Sequence, residues 1–130
     1  MAAFGNYLED KITGWINGTD MGTAPTNTYV QLFNGNPTDT GTGGTALLSR
    51  VAVAAGGWTR GTGGAGTLTN TAAITITPSS DSAVTADYFA VFDAATGTNV
   101  LFHGALSASK SIAIGDEVKF NASQLTLTVA

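Results

Sequence analysis

Tyr88-Phe89-Ala90-Val91-Phe92-Asp93-Ala94-Ala95-Thr96-Gly97-Thr98-Asn99-Val100-Leu101-Phe102-His103-Gly104-Ala105-Leu106 decides the fold. Two apolar runs, 88–92 and 100–106, flank a turn whose glycine, Gly97, can take the positive φ that a hairpin needs. The pattern predicts two adjacent antiparallel strands. Downstream, Ile112 and Ile114 precede Gly115-Asp116, and Val118 and Phe120 follow. A two-residue loop would pair Ile114 with Glu117 and send the large apolar groups to opposite faces. A three-residue loop through Glu117 pairs Ile114 with Val118 and Ile112 with Phe120, and this register is the expectation. Leu125, Leu127 and Val129 then alternate with Thr126 and Thr128 in a last strand with one buried face.

The same reading extends upstream. Tyr29-Val30-Gln31-Leu32-Phe33 forms a first strand, stopped by Asn34-Gly35 and Pro37. Residues 38–45 are a Thr/Gly loop with almost no apolar content, expected to be exposed and mobile. Residues 47–54 are a second apolar strand, Gly56-Gly57 bends the chain, and Trp58 follows either as a core plug or as an exposed contact. Residues 67–69 and 72–77 are expected to pair across Asn70-Thr71, with Pro78 ending the second member, in which Ile74 and Ile76 alternate with Thr75 and Thr77. About eight short strands joined by short loops point to an all-β antiparallel sandwich or jelly roll.

One helical pattern precedes the strands. Phe4, Leu8, Ile12, Trp15 and Ile16 recur at helical spacing over residues 3–17, with Asn6, Glu9, Asp10, Thr13 and Asn17 on the other side. Gly5 and Gly14 weaken the helix, so packing must hold it. Phe4 and Trp15 are bulky enough to close the end of a small β core, or alternatively to dock a partner chain. The organisation expected is a single domain over 1–130: a helix at 3–17, a polar linker at 19–28 and the sandwich at 29–130.

Composition excludes several function classes. Charged residues are only 11%, against roughly 25% in an average soluble domain. Five Lys+Arg against nine Asp+Glu give a net charge of -4 with no basic cluster, which argues against nucleic-acid partners. No apolar run approaches the roughly 20 residues of a membrane span. The N-terminus lacks the basic and apolar regions of a signal peptide, so the mature chain is expected to begin at or beside Met1. Without cysteine there is no disulfide framework, thiolate zinc site or cysteine nucleophile. The surface must instead be hydroxyls, small residues and amides, since the chain holds 17 Gly and still more Thr. Such a surface suits either an ordinary secreted-type domain or a module covered by neighbours in an assembly.

Catalytic patterns fail one by one. The single histidine, His103, sits in a strand-like run and reads as a face residue rather than a base. Gly61-Thr62-Gly63-Gly64-Ala65-Gly66 satisfies G-x-G-x-x-G but runs into Thr67-Leu68-Thr69-Asn70, which is strand-like, whereas the dinucleotide motif must open a helix. Asp81, Asp87, Asp93, Asp116 and Glu117 match no EF-hand loop. Asp93 and Asp116 read as turn formers. The expectation is no enzyme, no cofactor and no dedicated metal site, an isolated loop calcium staying open.

Several blocks together resemble a family of small virion proteins of tailed bacteriophages. They are Met1-Ala2-Ala3-Phe4-Gly5-Asn6-Tyr7-Leu8-Glu9, Tyr29-Val30-Gln31-Leu32-Phe33 with Pro37-Thr38-Asp39, Phe92-Asp93-Ala94-Ala95-Thr96-Gly97 with Leu101-Phe102-His103-Gly104-Ala105-Leu106, and Gly115-Asp116 with Leu125-Thr126-Leu127-Thr128. Members are labelled tail-fibre or tail proteins, and the small jelly-roll architecture is similar to head cement proteins. The resemblance implies a structural virion protein made in the host cytoplasm. Its first reading is a capsid decoration (cement) protein on the capsid exterior, and its alternative is a tail-fibre module recognising host surface glycans. The implied partners are copies of itself, as a dimer or trimer, and the major capsid protein, with no nucleic acid and no membrane. Trp58, Arg50 and Arg60 are the contact candidates by residue type, joined by Phe4 and Trp15 from the helix.

Overall fold

The computed structural model describes residues 3–77 and 83–128. In chain order the elements are β1 (Ala3–Phe4), α1 (Asn6–Ile16), β2 (Asn27–Asn34), β3 (Thr45–Ala54), β4 (Trp58–Arg60), β5 (Thr67–Asn70), β6 (Ile74–Ile76), β7 (Val84–Phe92), β8 (Val100–Ile112), β9 (Val118–Phe120) and β10 (Thr126–Thr128). The protein is all-β apart from one short N-terminal helix, and its paired strands are antiparallel. Ten strands are described where about eight were expected from turn spacing.

The quoted stretch is the centre of the molecule. β7 and β8 form the predicted hairpin, and Gly97 takes φ +96 in its turn. They sit inside a five-stranded sheet of order β1-β8-β7-β2-β3. Two smaller sheets, β10-β5-β4 and β6-β9, complete the sandwich-like arrangement. Alternation assigns the faces. Val30 and Leu32 of β2, Phe89 and Val91 of β7 and Phe102 of β8 join Ile74 and Ile76 of β6, Val118 of β9, and Leu125 and Leu127 in one core.

Several local pairings differ from the sequence expectation. Residues 67–69 and 72–77 do not pair with each other: β5 lies between β10 and β4, while β6 pairs with β9. Ile112 does not face Phe120, because it pairs with Val84 at the end of a 13-residue β8. Phe120 pairs with Ile74, and Ile114 is exposed. In both cases a neighbour in sequence lost to a distant strand that buries more apolar surface. Pro78, Asp81 and Val129 lie outside the described residues.

The helix is also shorter than 3–17. Ala3 and Phe4 are extended and pair with His103 and Phe102. Gly5 then donates its N–H to the Leu101 carbonyl at 3.0 Å, and a Cβ at this position would run into the Val100 backbone. Glycine therefore lets the chain cross β8 closely enough to start α1. Phe4 and Leu8 pack against the core, and the Phe4 ring lies 5.0 Å from that of Phe102. The stripe then runs past the sheet, so Trp15 and Ile16 are 64% and 74% exposed. Trp15 does not close the core; Phe4 does. No described helix is long and apolar enough to cross a membrane.

Candidate functional site

The large sheet has a second apolar face. Phe33, Ala90, Phe92 and Val100 are buried there, with Tyr29 and Tyr88 half-buried beside them, and the Phe33 and Phe92 rings stack at 6.3 Å. What covers an aromatic face that the smaller sheets do not reach? Residues 35–44 do. Pro37 is fully buried, Gly41 rests against Val100 and Phe92, and Gly43 donates to the Pro37 carbonyl at 2.9 Å. The threonine hydroxyls of this segment do face solvent, and Thr38, Thr40 and Thr42 form a hydrogen-bonded row. The expectation of a freely mobile loop is thus corrected: its backbone is a fitted cover. Thr38 holds φ +62, a conformation costing a β-branched residue roughly 1–2 kcal/mol, which the surrounding contacts must offset.

His103 and Asp39 fasten that cover. His103 is buried on β8, and its Nε2 lies 2.6 Å from Asp39 Oδ1. The Asp39 carbonyl accepts the N–H of Asn6, the first residue of α1, at 2.9 Å. One short segment therefore ties strand, cover and helix together. The sequence placed His103 as an ordinary strand residue and missed this pairing, since its partner lies 64 residues away. Among the described residues no group of three or more His, Asp or Glu side chains gathers as metal ligands would.

Arg50 is the second fastener. Its guanidinium lies 3.5 Å from the centroid of the Phe92 ring, within cation–π range. Nε donates to Gln31 Oε1 at 2.9 Å, and the other nitrogens donate to the carbonyls of Ala94 and Gly97 in the β7–β8 turn. Burial lowers the Arg50 pKa from its ordinary value, and the charge of Asp93 opposes that shift. A β-bulge makes this reach possible. Register shifts between Val30 and Leu32 against β3, Leu48 takes φ +61, and Gln31 donates to the Leu48 carbonyl.

The remaining candidates divide sharply. Trp58 packs against the core and its indole N–H donates to Thr28 Oγ1 at 2.9 Å, the core-plug alternative. Phe4 is likewise internal. Arg60 is exposed on β4, and Trp15 is exposed at the end of α1. Of the five sequence candidates, three are spent inside the fold. Sequence reasoning picked residue types suited to interfaces, and the same types are suited to plugging small cores.

An antiparallel β module with a hydroxyl-rich surface, low charge and a hydrogen-bonded cover over its second face belongs to the class of small structural proteins. The model of one such family, the Podophage GP4 fiber I protein gp80, matches residues 3–128, and the chain belongs to that family. It is a tailed-phage virion protein of fibre type, in agreement with the resemblance read from the sequence. No curated protein matches the chain.

Proposed function

We propose that the protein is a passive structural component of the phage fibre, without catalysis, that meets further copies of itself through the free end of α1. The family match carries this reading, because it spans every described residue. It favours the fibre over the head-decoration role that came first from sequence. Immunogold labelling of intact particles tests it. Label on the tail fibres supports the proposal; label on tail-less heads, with the major capsid protein as partner, would replace it with decoration of the capsid exterior.

The self-contact rests on Trp15, Ile16 and Met21, three of the four large apolar side chains exposed on the described chain. Aromatic residues dominate the buried centres of interfaces, and identical copies repel little when charged residues are only 11%. The patch is smaller than the roughly 800 Å² that a stable interface needs per partner, so further surface must join it. Trp15→Asp is expected to weaken self-association at least about tenfold while changing folding stability by less than about 0.5 kcal/mol. Light scattering across a concentration series, with urea unfolding alongside, reads both. Equal association of variant and parent would exclude Trp15 from the contact.

A further inference from the structure

A groove of about 620 Å³ opens between the distal half of β8 and the segment from β9 to β10. We infer that this groove binds an anionic saccharide, held by Lys110 and Lys119 and by the hydroxyl and amide groups between them. The inference rests on the fibre reading only for the setting, a particle surface that meets polysaccharide; the chemistry comes from the lining.

Charge is the first observation. The chain has nine acidic and five basic residues, yet its described groove lining contains two lysines and no carboxylate. Both lysines are exposed. In a protein of net charge -4 this is a local reversal, and it favours an anion at that place. The second observation is what accompanies the charge. Ser107, Ser109 and Gln124 supply short donors and acceptors, and the half-buried Phe120 ring supplies an apolar wall. Hydroxyls and an amide beside an aromatic face suit the alternating hydroxyl and C–H surface of a sugar.

Strand geometry argues against a peptide as the occupant. β1 covers β8 only at Phe102 and His103, leaving the edge beyond without that strand. An added strand would need that edge straight. Instead Ala86 pairs with Lys110 and Tyr88 with Ala105, so residues 106–109 bulge opposite the single residue Asp87. A bulge of this kind turns the edge away from strand addition while opening the floor of the groove.

The test titrates the full-length chain with hexameric oligogalacturonate, with its methyl ester and with inorganic polyphosphate, following backbone amide shifts by NMR. Expected are shifts centred on 107–110 and 119–124 with the free acid, and binding at least about tenfold weaker both for the ester and for the Lys110→Gln/Lys119→Gln variant. Binding of acid and ester with equal affinity would overturn the role of charge. Polyphosphate binding as tightly as the sugar would overturn the saccharide assignment, and no shift with the free acid would overturn the site. Both lysines are exposed, so the variant keeps its fold, and an unchanged urea midpoint verifies this. The fibre reading is judged separately, by particle labelling, so either proposal can fail alone.

Discussion

Asn70→Asp is expected to lower folding stability by about 4 kcal/mol or more, moving the urea midpoint by roughly 2 M for a domain of this size. Asn70 is fully buried at the end of β5. Its Nδ2 donates to the carbonyls of Ala72 and Asn121, both at 2.9 Å, with the Phe120 carbonyl at 3.4 Å. Its Oδ1 accepts the Leu125 N–H at 2.9 Å, and its own carbonyl accepts the N–H of Ser123 at 2.8 Å. One side chain thus satisfies the backbone between β9 and β10 and joins the two smaller sheets. Aspartate keeps the size but turns the donor into an acceptor that faces carbonyl oxygens. The carboxyl must then either take up a proton or stay charged without a partner, and both are costly. Asn70→Ala is the control, leaving the Leu125 N–H and two carbonyls unmatched at about 3 kcal/mol. A loss below about 1 kcal/mol for both variants would show that water replaces the side chain easily and that the sheets are joined elsewhere.

Asn70 also shows why part of the fold could not be read from the sequence. Beside Thr71 it carries a turn signal, and turn was the expectation. Its burial depends on Asn121, 51 residues away. The hairpin of β7 and β8 was legible because both strands and the turn glycine are local. The faces of β2 and β6 were legible for a similar reason: alternation needs no partner. Which strand pairs with β6, or which loop covers Phe92, is fixed by contacts between distant segments, and single-sequence periodicity carries no such information. Likewise the helical stripe named Phe4, Leu8 and Trp15 together, but not where the sheet beneath them ends. The virion class was reached by resemblance, since composition and periodicity stop at a small β module.

The same limit explains Arg50, and a second variant separates its two possible roles. Chosen from sequence as a partner contact, it should then be dispensable to the isolated chain, with Arg50→Ala changing stability by less than about 0.5 kcal/mol. The structure gives the opposite expectation, a loss of about 2–3 kcal/mol. Alanine removes the cation over Phe92, leaves Gln31 Oε1 without its donor, and releases the carbonyls of Ala94 and Gly97. Lysine keeps the charge but lacks the planar fork that reaches three acceptors at once, so Arg50→Lys is expected to recover less than half of the loss. Locally, amide exchange in the 93–97 turn should accelerate in both variants, while exchange in β6 and β9, on the other side of the core, follows the change in global stability alone. An Arg50→Ala protein with parental stability but impaired assembly would return this residue to the interface. A destabilised one, with its turn loosened first, makes it the clasp that binds the β7–β8 hairpin to β2 and β3.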